Sequence, residues 1–252
     1  MTYGICNLSI IPLRATAADT SELVSQVLYG EIFKVLEVRS KFSRIRLAFD
    51  SYEGWIDNKQ FAILAQKEYE TLRAESPELS SDLVDFITTS QNQLLSICLG
   101  SSLNGVQLLN HSFEGQSISE TFKKEQLVKT ALLYINSPYL WGGKTPFGID
   151  CSGFTQMVYK LNGHKLKRDA SQQAIQGEAL SFIEESEPGD LAFFDNTEGD
   201  ITHVGIILKN NFIIHAHGKV RIDGLDHSGI FNYESRTYSH KLRVIKRIVP
   251  AS

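Results

Sequence analysis

The chain has 252 residues, of which 42% are hydrophobic and 21% charged, so it can bury a core of normal globular composition without disulfide bonds. Its 25 Lys and Arg against 29 Asp and Glu give a net charge of −4, which argues against a nucleic-acid partner, since such proteins favour a basic face. No apolar run approaches the ~18 residues that a bilayer-spanning helix needs, and we therefore expect no membrane partner.

The N-terminus and the cysteines point to a cytoplasmic location. The first twelve residues, MTYGICNLSIIP, contain neither a basic segment nor a 7–15-residue apolar segment of the kind that a secretory signal has. Cys6, Cys98 and Cys151 lie far apart and form no CxxC pair, which is typical of a reducing compartment with at most one reactive thiol.

Residues 1–65 are predicted to be all-β. Apolar and β-branched residues over 27–38 flank a glycine turn, residues 42–49 alternate apolar with polar, and residues 55–57 follow a polar turn. Short strands at this spacing predict a small barrel. The order of strands, turns and the Gly54-Trp55-Ile56 motif resembles a bacterial SH3 (SH3b) domain.

Residues 66–117 carry weaker patterns. A short helix is predicted over 66–75, ending before Ser76-Pro77, and strands are predicted over 94–100 and 105–109. We interpret this stretch as a small β-rich connection or an incomplete second SH3-like unit.

Residues 118–252 show the pattern of an α+β domain. Helices are predicted over 119–134, with Ser119 as the N-cap, and over 151–161, on either side of a loop rich in Gly and Pro. Strands follow over 191–194, 203–208, 212–215 and 242–248, with an Asn210-Asn211 turn in one hairpin. Helices first and an antiparallel sheet after them predict helices packed on that sheet.

Cys151 is the candidate nucleophile. It stands where a Gly-rich loop turns into the predicted helix, so the positive helix end and free backbone N–H groups would favour its thiolate and lower its pKa. Most cysteines are small buried packing residues, as we expect for Cys6 and Cys98. The position at a helix start favours the reactive interpretation for Cys151.

His203 and His215 are the candidate base and its partner. They stand at the start of one predicted strand and the end of the next, at near-mirror positions about the Asn210-Asn211 turn, so their side chains can approach each other. A histidine oriented by a second polar side chain and facing a cysteine is the arrangement of thiol catalysis.

A zinc site is the alternative for the same residues. His215 and His217 point to one face of a strand, and Cys151 or His203 could add ligands, but no second cysteine clusters with them, so we expect no metal and no other cofactor. The remaining histidines are interpreted as ordinary surface residues: His111, His164, His217, His227 and His240.

The sequence resembles a family through several separate motifs in a fixed order. Pro138 to Phe154 reads PYLWGGKTPFGIDCSGF, and it is followed by Arg168-Asp169, PGDLAFF from Pro188, HVGI from His203 and IHA from Ile214. These motifs resemble the NlpC/P60 family of papain-like cysteine peptidases over about residues 119–250. The SH3b-like region is similar to domains fused to the branch that contains γ-D-glutamyl-L-diamino acid endopeptidases.

The resemblance implies roles for the motif residues. Cys151 would be the nucleophile, His203 the general base and His215 the residue that orients it. The backbone N–H of Cys151 and the Tyr139 hydroxyl would hold the oxyanion. Tyr139 and Trp141 would line the cleft, and the residues beside the nucleophile, Asp150 and Ser152, would shape the substrate pocket, although both could instead cap the helix.

The resemblance also implies a pocket for the free amine of an N-terminal L-Ala, which needs carboxylate and hydroxyl partners. Asp169 matches the family carboxylate, and Tyr52 matches an SH3b tyrosine. Ala170 stands where relatives often have Ser, so Ser171 would replace it or one hydrogen bond would be absent. A second acid is expected from the SH3b domain, with Glu22 and Glu31 as candidates.

The sequence therefore predicts a monomeric cysteine peptidase that releases L-Ala-γ-D-Glu from murein peptides carrying diaminopimelate or Lys, in cell-wall peptide recycling. Three alternatives stay open: an exported endopeptidase on intact peptidoglycan, a wall-binding module with an inert catalytic part, and an amidase or acyltransferase on the same core.

Overall fold

The computed structural model describes residues 2–250, and the chain divides into two compact units. Unit 1 consists of Met1–Glu120 and Trp141–Pro146, and unit 2 of Thr121–Leu140 and Phe147–Ser252. Each unit is therefore built from two stretches of chain. The domain boundaries after residues 65 and 117 remain predictions.

Unit 1 begins with a seven-stranded antiparallel sheet in the order β3-β2-β6-β5-β4-β1-β7. Its strands are β1 (Thr2–Ile5), β2 (Ile10–Arg14), β3 (Leu23–Leu28), β4 (Ile32–Val38), β5 (Phe42–Leu47), β6 (Glu53–Asp57) and β7 (Ala62–Leu64). The period-2 pattern of β5 turns Ile45 and Leu47 inward while Arg44 and Arg46 stay exposed. The sheet closes over an apolar core that includes Ile11, Leu13, Val27, Phe33, Ile45 and Ile56. The SH3-like barrel predicted from the sequence is confirmed.

Gly30 makes the turn between β3 and β4 with a φ of +75°, a conformation that L residues rarely adopt. A Cβ atom there would lie 1.8 Å from the Ser102 carbonyl oxygen. Only glycine fits this turn without moving the backbone of residue 102.

The rest of unit 1 is a helix and several short strands. They are α1 (Gln66–Ala74), β8 (Leu79–Ser80), β9 (Val84–Thr88), β10 (Leu94–Cys98), β11 (Ser112–Phe113), β12 (Ser117–Ile118) and β13 (Lys144–Thr145). β10, β9 and β11 form a small antiparallel sheet that packs with Tyr29 of the barrel. The strand predicted over 105–109 is wrong: this run forms consecutive turns, with hydrogen bonds such as Leu109 N–H to the Gly105 carbonyl. Its apolar residues pack inward from a turn.

The helices of unit 2 are α2 (Glu125–Leu132), α3 (Cys151–Leu161) and α4 (Ala170–Gln173). The bounds of α3 are those predicted, and every one of its residues is buried. The prediction for α2 is wrong at both ends, and its N-cap is Lys124 instead of Ser119. Phe122 N–H donates to the Asn162 carbonyl, and residues 133–135 bond three residues back, so tertiary contacts and tighter turns replace the outer helical turns.

The strands of unit 2 are β14 (Gly148–Ile149), β15 (Glu178–Leu180), β16 (Leu191–Asp195), β17 (Ile201–Leu208), β18 (Phe212–His217), β19 (Lys219–Asp226), β20 (Gly229–Asn232) and β21 (Thr237–Arg247). The main sheet has the order β15-β21-β16-β17-β18-β19-β20, and all its pairings are antiparallel. Because β20 also pairs with β21, strands β16 to β21 close into a ring.

Helix α3 packs against β17 and β18, the strands that carry His203 and His215. The predicted fold class is therefore confirmed: a barrel followed by a domain of few helices on an antiparallel sheet. The longest α-helix among residues 2–250 has 11 residues, and none there is long and apolar enough to cross a membrane.

Candidate active site

Cys151 is the first residue of α3, and Asp150 directly before it caps the helix. The Asp150 carboxylate accepts a hydrogen bond of 2.6 Å from Gly153 N–H, which satisfies one of the free donors at the helix start. The buried Arg168 guanidinium donates to both Asp150 oxygens at 3.0 and 2.6 Å. The loop and helix around the thiol are thus held by a charged cap.

The Cys151 thiol lies against the backbone on both sides of His203. Its Sγ is 3.9 Å from the Thr202 carbonyl oxygen, and the Val204 N–H group donates toward the sulphur. Burial, followed by the Asp150 carboxylate, raises the pKa of Cys151 to about 12. The lowered pKa expected from the helix position is therefore wrong for the substrate-free protein, whose thiol keeps its proton.

His203 on β17 and His215 on β18 are both buried, and they are hydrogen-bonded to each other. His203 Nε2 lies 2.8 Å from His215 Nδ1, so the structure brings together the pair predicted from the hairpin. In the strand register His215 pairs with Gly205, so the two histidines meet on a diagonal. The connecting turn carries Asn210 and Asn211 with φ values of 60° and 61°.

Burial and neighbouring imidazoles keep the two histidines neutral. Burial, with His215, His240 and His217 nearby, lowers the pKa of His203 well below its usual range. Burial also lowers the pKa of His215, although Asp223 opposes the shift. The thiol and the imidazole are therefore both uncharged, so a thiolate at Cys151 would have to form by proton transfer.

Two further residues extend the chain of contacts and were missed by sequence reasoning. His215 Nε2 lies 2.9 Å from Asp223 Oδ2, and Arg221 donates to both oxygens of Asp223 at 2.8 and 3.0 Å. Asp223 and Arg221 stand two apart on β19, a strand that the sequence analysis did not assign. The only signal in the sequence was their spacing, since two residues that stand two apart on a strand point to the same face.

His240 on β21 is not an ordinary surface residue, contrary to the sequence interpretation. Its ring stacks on His203 with centroids 4.0 Å apart and planes 20° from parallel, and it also contacts Phe194. Of the other histidines interpreted as surface residues, His217 and His227 are exposed, whereas His111 and His164 are partly buried.

The histidine cluster also bears on the zinc alternative. Ring nitrogens of His203, His215 and His240 lie within 4.8 Å of one another. However, His203 and His215 are bonded directly to each other, and the parallel stack of His203 and His240 does not point their lone pairs at a common centre. The geometry favours a hydrogen-bonded base over a metal centre.

Three predicted pocket residues in unit 2 lie next to the thiol. Burial, with Cys151 and Asp150 contributing, raises the pKa of Tyr139 to about 12, so its hydroxyl stays protonated and can donate. The Ser152 hydroxyl accepts from Arg168 at 3.0 Å and lies 3.3 Å from Asp150. Asp150 and Ser152 therefore belong to the helix cap, and their contact with substrate remains a prediction.

Asp169 precedes the short helix α4, in which Ala170 is buried and Ser171 is exposed. Neighbouring residues on a helix point about 100° apart, so Ser171 does not occupy the buried position of Ala170. Ser171 therefore supplies no hydroxyl at the buried position of Ala170.

The predicted pocket residues of unit 1 differ in their exposure and in their partners. Trp141 Nε1–H donates to the Glu22 carboxylate at 2.7 Å, so these two are brought together and Glu22 remains exposed. Tyr52 packs against the barrel core just before β6. Glu31 is buried, accepts from Leu28 N–H and pairs with Lys144 at 3.3 Å, so it is engaged within unit 1, and Glu22 is the candidate acid that stays exposed.

The site places a buried thiol at a helix start against a strand that carries an imidazole. This imidazole connects through a second imidazole to a carboxylate. The arrangement defines the class of cysteine peptidases. The chain belongs to the NlpC/P60 family, which matches residues 136–239, and residues 13–61 match a bacterial dipeptidyl-peptidase SH3 domain. The protein is accordingly a peptidase, a hydrolase.

Relatives support this assignment. The chain is 30% identical over 243 residues to dipeptidyl-peptidase 6 of Lysinibacillus sphaericus, covering 82% of this chain and 85% of that protein. It is 38% identical over 94 residues to the γ-D-glutamyl-L-lysine dipeptidyl-peptidase of Bacillus subtilis, covering 36% of this chain and 31% of that protein. A crystal structure of an NlpC/P60 family protein from Bacillus cereus shares the fold, with a TM-score of 0.79 at 20% identity over 98% of this chain and 100% of that one.

Proposed function

We propose that the protein hydrolyses the γ-D-glutamyl-L-diamino acid bond of murein peptides with a free N-terminal L-Ala, releasing L-Ala-γ-D-Glu. The observation that carries the proposal is the buried array of Cys151, His203 and His215 on α3, β17 and β18. The name of the Bacillus subtilis relative supports the choice of bond.

The first half of the reaction forms a thioester. As Sγ of Cys151 attacks the γ-carbonyl carbon of D-Glu, its proton passes to the neutral His203 imidazole. The carbonyl oxygen takes the negative charge and is held by the backbone N–H of Cys151 and the protonated Tyr139 hydroxyl. The C–N bond then breaks, and the His203 imidazolium gives its proton to the leaving amine of the diamino acid.

The second half returns the free enzyme. Water attacks the thioester carbon and gives a proton to His203, which passes it to the departing Cys151 sulphur. The dipeptide leaves as a carboxylic acid, which then loses its proton to solvent and becomes a carboxylate. Both halves use His203 first as base and then as acid, and this requires an imidazole that is neutral at rest.

The selectivity for a free amine is assigned to carboxylates and a hydroxyl. We propose that Glu22, Asp169 and Tyr52 recognise the ammonium of L-Ala. The exposed Glu22 carboxylate, oriented by Trp141 N–H, supports its part in this. Such a requirement restricts the substrates to peptides already released from the wall, which fits a cytoplasmic, monomeric recycling enzyme. The three buried cysteines form no disulfide bond, which supports a reducing compartment.

Mass spectrometry of the products from L-Ala-γ-D-Glu-meso-diaminopimelate tests the proposal. The same peptide with an N-acetyl group, and the Lys-containing peptide, are run beside it. We expect L-Ala-γ-D-Glu from the free-amine peptides only, and none with Cys151→Ala. The matched control is Cys98→Ala, which removes another buried thiol and leaves cleavage intact.

The outcomes separate the alternatives. Equal cleavage of the free and acetylated peptides would keep the peptidase and remove the roles of Glu22, Asp169 and Tyr52. Cleavage of intact peptidoglycan at a similar rate would favour an exported enzyme. No cleavage of any peptide would contradict the proposed substrate.

A further inference from the structure

We propose that Asp223 is a positioning residue that fixes the tautomers of His215 and His203, so that Nδ1 of His203 is the basic nitrogen. The inference rests on the proposed function only in taking Cys151 as nucleophile and His203 as base. It assigns a part to a residue outside the cysteine and the two histidines.

Asp223 can only accept hydrogen bonds. Its side chain is 2% exposed, and its Oδ2 lies 2.9 Å from His215 Nε2. Arg221 Nε and Nη2 donate to Oδ2 and Oδ1 at 2.8 and 3.0 Å. Although burial acts to raise it, the hydrogen bonds from His215 and Arg221 lower the pKa of Asp223 overall, so the group is a carboxylate without a proton to donate.

The tautomers follow from this acceptor. Nε2 of His215 must carry the proton in the bond to Asp223, and a neutral imidazole has only one, so His215 Nδ1 has a lone pair. The 2.8 Å bond between the rings then requires His203 Nε2–H as the donor. The lone pair of His203 is thereby left on Nδ1, which is the nitrogen that receives the thiol proton.

The Asp223 charge also acts on the His203 imidazolium. When Nδ1 takes a proton, Nε2–H still donates to His215, and His215 still donates to Asp223. The negative charge of Asp223 at the end of these hydrogen bonds stabilises the His203 imidazolium, whereas the other groups around His203 destabilise it. Those groups are the imidazoles of His215 and His217 on β18 and of His240 on β21. The guanidinium of Arg221 on β19 acts in the same sense on His215.

Glu234 provides a matched control. It lies 3.2 Å from the same Arg221 guanidinium, but its side chain is 79% exposed. The two carboxylates share one partner, and only Asp223 is bonded to His215. Glu234→Gln therefore removes a negative charge that pairs with Arg221 and leaves the acceptor for His215 in place.

Nitrogen NMR of the intact protein with ¹⁵N-labelled histidine tests the tautomers directly. At pH 7 we expect a protonated Nε2 and an unprotonated Nδ1 in both His203 and His215. A protonated Nδ1 on His215 would overturn the inference. The measurement needs neither substrate nor variant, so it stands even if the proposed substrate is wrong or a variant does not fold.

The rate of Cys151 alkylation by iodoacetamide against pH tests the charge. We expect Asp223→Asn to lower the plateau rate about 10–100-fold and to move the acidic midpoint to lower pH, because the imidazolium loses its carboxylate. Asp223→Glu should recover part of the rate, and Glu234→Gln should match the wild type. An unchanged plateau in Asp223→Asn, or a lower plateau with an unmoved midpoint, would overturn the inference.

Discussion

The histidines of unit 2 link catalysis to acid stability at the scale of single residues. Burial lowers the pKa values of His203, His215 and His240, in the last case to about 4. Between pH 4 and the unfolded value near 6.5, the unfolded chain therefore binds more protons than the folded one. The free energy of unfolding should therefore rise with pH across this window, and it should be smaller at pH values under the window than above it.

The effect of His240 titration on stability can be separated from the effect of its ring packing by one substitution. His240→Phe keeps an aromatic ring over His203 and removes the titrating group. Its partial exposure reduces the effect, so we expect the loss of unfolding free energy between pH 7 and pH 4.5 to shrink by about 1–2 kcal/mol. Urea denaturation at the two pH values measures this, with His227→Phe as the control at an exposed histidine. An unchanged pH dependence in His240→Phe would show that the folded protein protonates His240 freely.

The Glu22 assignment predicts an effect on binding alone. Glu22→Gln keeps an oxygen that accepts from Trp141 N–H and removes the charge that an ammonium needs. We expect KM for the free-amine peptide to rise about tenfold with kcat nearly unchanged, since the lost interaction is made equally in ground and transition states. Steady-state kinetics measure it, and Glu53→Gln, at a carboxylate paired with Arg46, is the control. A fall in kcat at constant KM would contradict the role.

The residues nearest the chemistry were predictable because each lies at a position with a local signal. Cys151 follows a glycine-rich loop at a helix start, and His203 and His215 flank a hairpin turn. Asp223 carries no such signal, because its contact with His215 depends on a neighbouring strand. The stacking of His240, on the last strand, against His203 likewise depends on tertiary structure.

At the scale of elements, the close approach of β17 and β18 depends on Gly205. A Cβ atom there would lie 2.9 Å from the Cβ of His215 and 2.7 Å from Cδ1 of Ile213. The isoleucine end can rotate, but the histidine Cβ moves only with its strand. The absence of a side chain at residue 205 therefore lets His215 approach His203.

Gly205→Ala should shift His215 by a few tenths of an ångström and weaken its bond to His203. We expect a loss of about 1–3 kcal/mol in stability and at least a tenfold loss in kcat. Thermal unfolding and peptide hydrolysis measure the two effects. Gly224→Ala on β19 is the control, since its Cβ would meet the exposed Tyr233 ring, which can move. Wild-type activity in Gly205→Ala would show that the strand absorbs the methyl group.

The elements that the sequence predicted well are those whose own residues decide them. The bounds of α3 follow from its Asp150 cap and its wholly buried residues. The start of α2 was mispredicted because the Asn162 carbonyl takes the Phe122 N–H group, and its end because residues 133–135 bond three residues back. An apolar periodicity reports neither contact. Residues 105–109 show the same limit, since an apolar run packs equally well from a turn.

At the scale of the whole molecule, unit 1 depends on a short stretch of distant sequence. Trp141–Pro146 belongs to this unit although the residues on either side belong to unit 2. Its anchors are the Lys144 N–H bond to Gln26 at 2.7 Å and the buried ion pair of Lys144 with Glu31. A motif of the peptidase family thus contributes to the stability of the barrel unit.

Lys144→Met tests that contribution. It leaves the Glu31 carboxylate buried without its cation, and breaking such a pair from one side costs about 3 kcal/mol of unfolding free energy. The double variant Lys144→Met with Glu31→Gln removes the orphaned charge and keeps an acceptor for Leu28 N–H, so it should recover much of the loss. Denaturant unfolding of the single and double variants measures the coupling. Lys59→Met, which breaks an exposed pair with Asp57, should cost well under about 1 kcal/mol. Equal destabilisation by Lys144→Met and Lys59→Met would show that the buried pair does not hold the segment, because an anchoring pair must cost more to break than one in water.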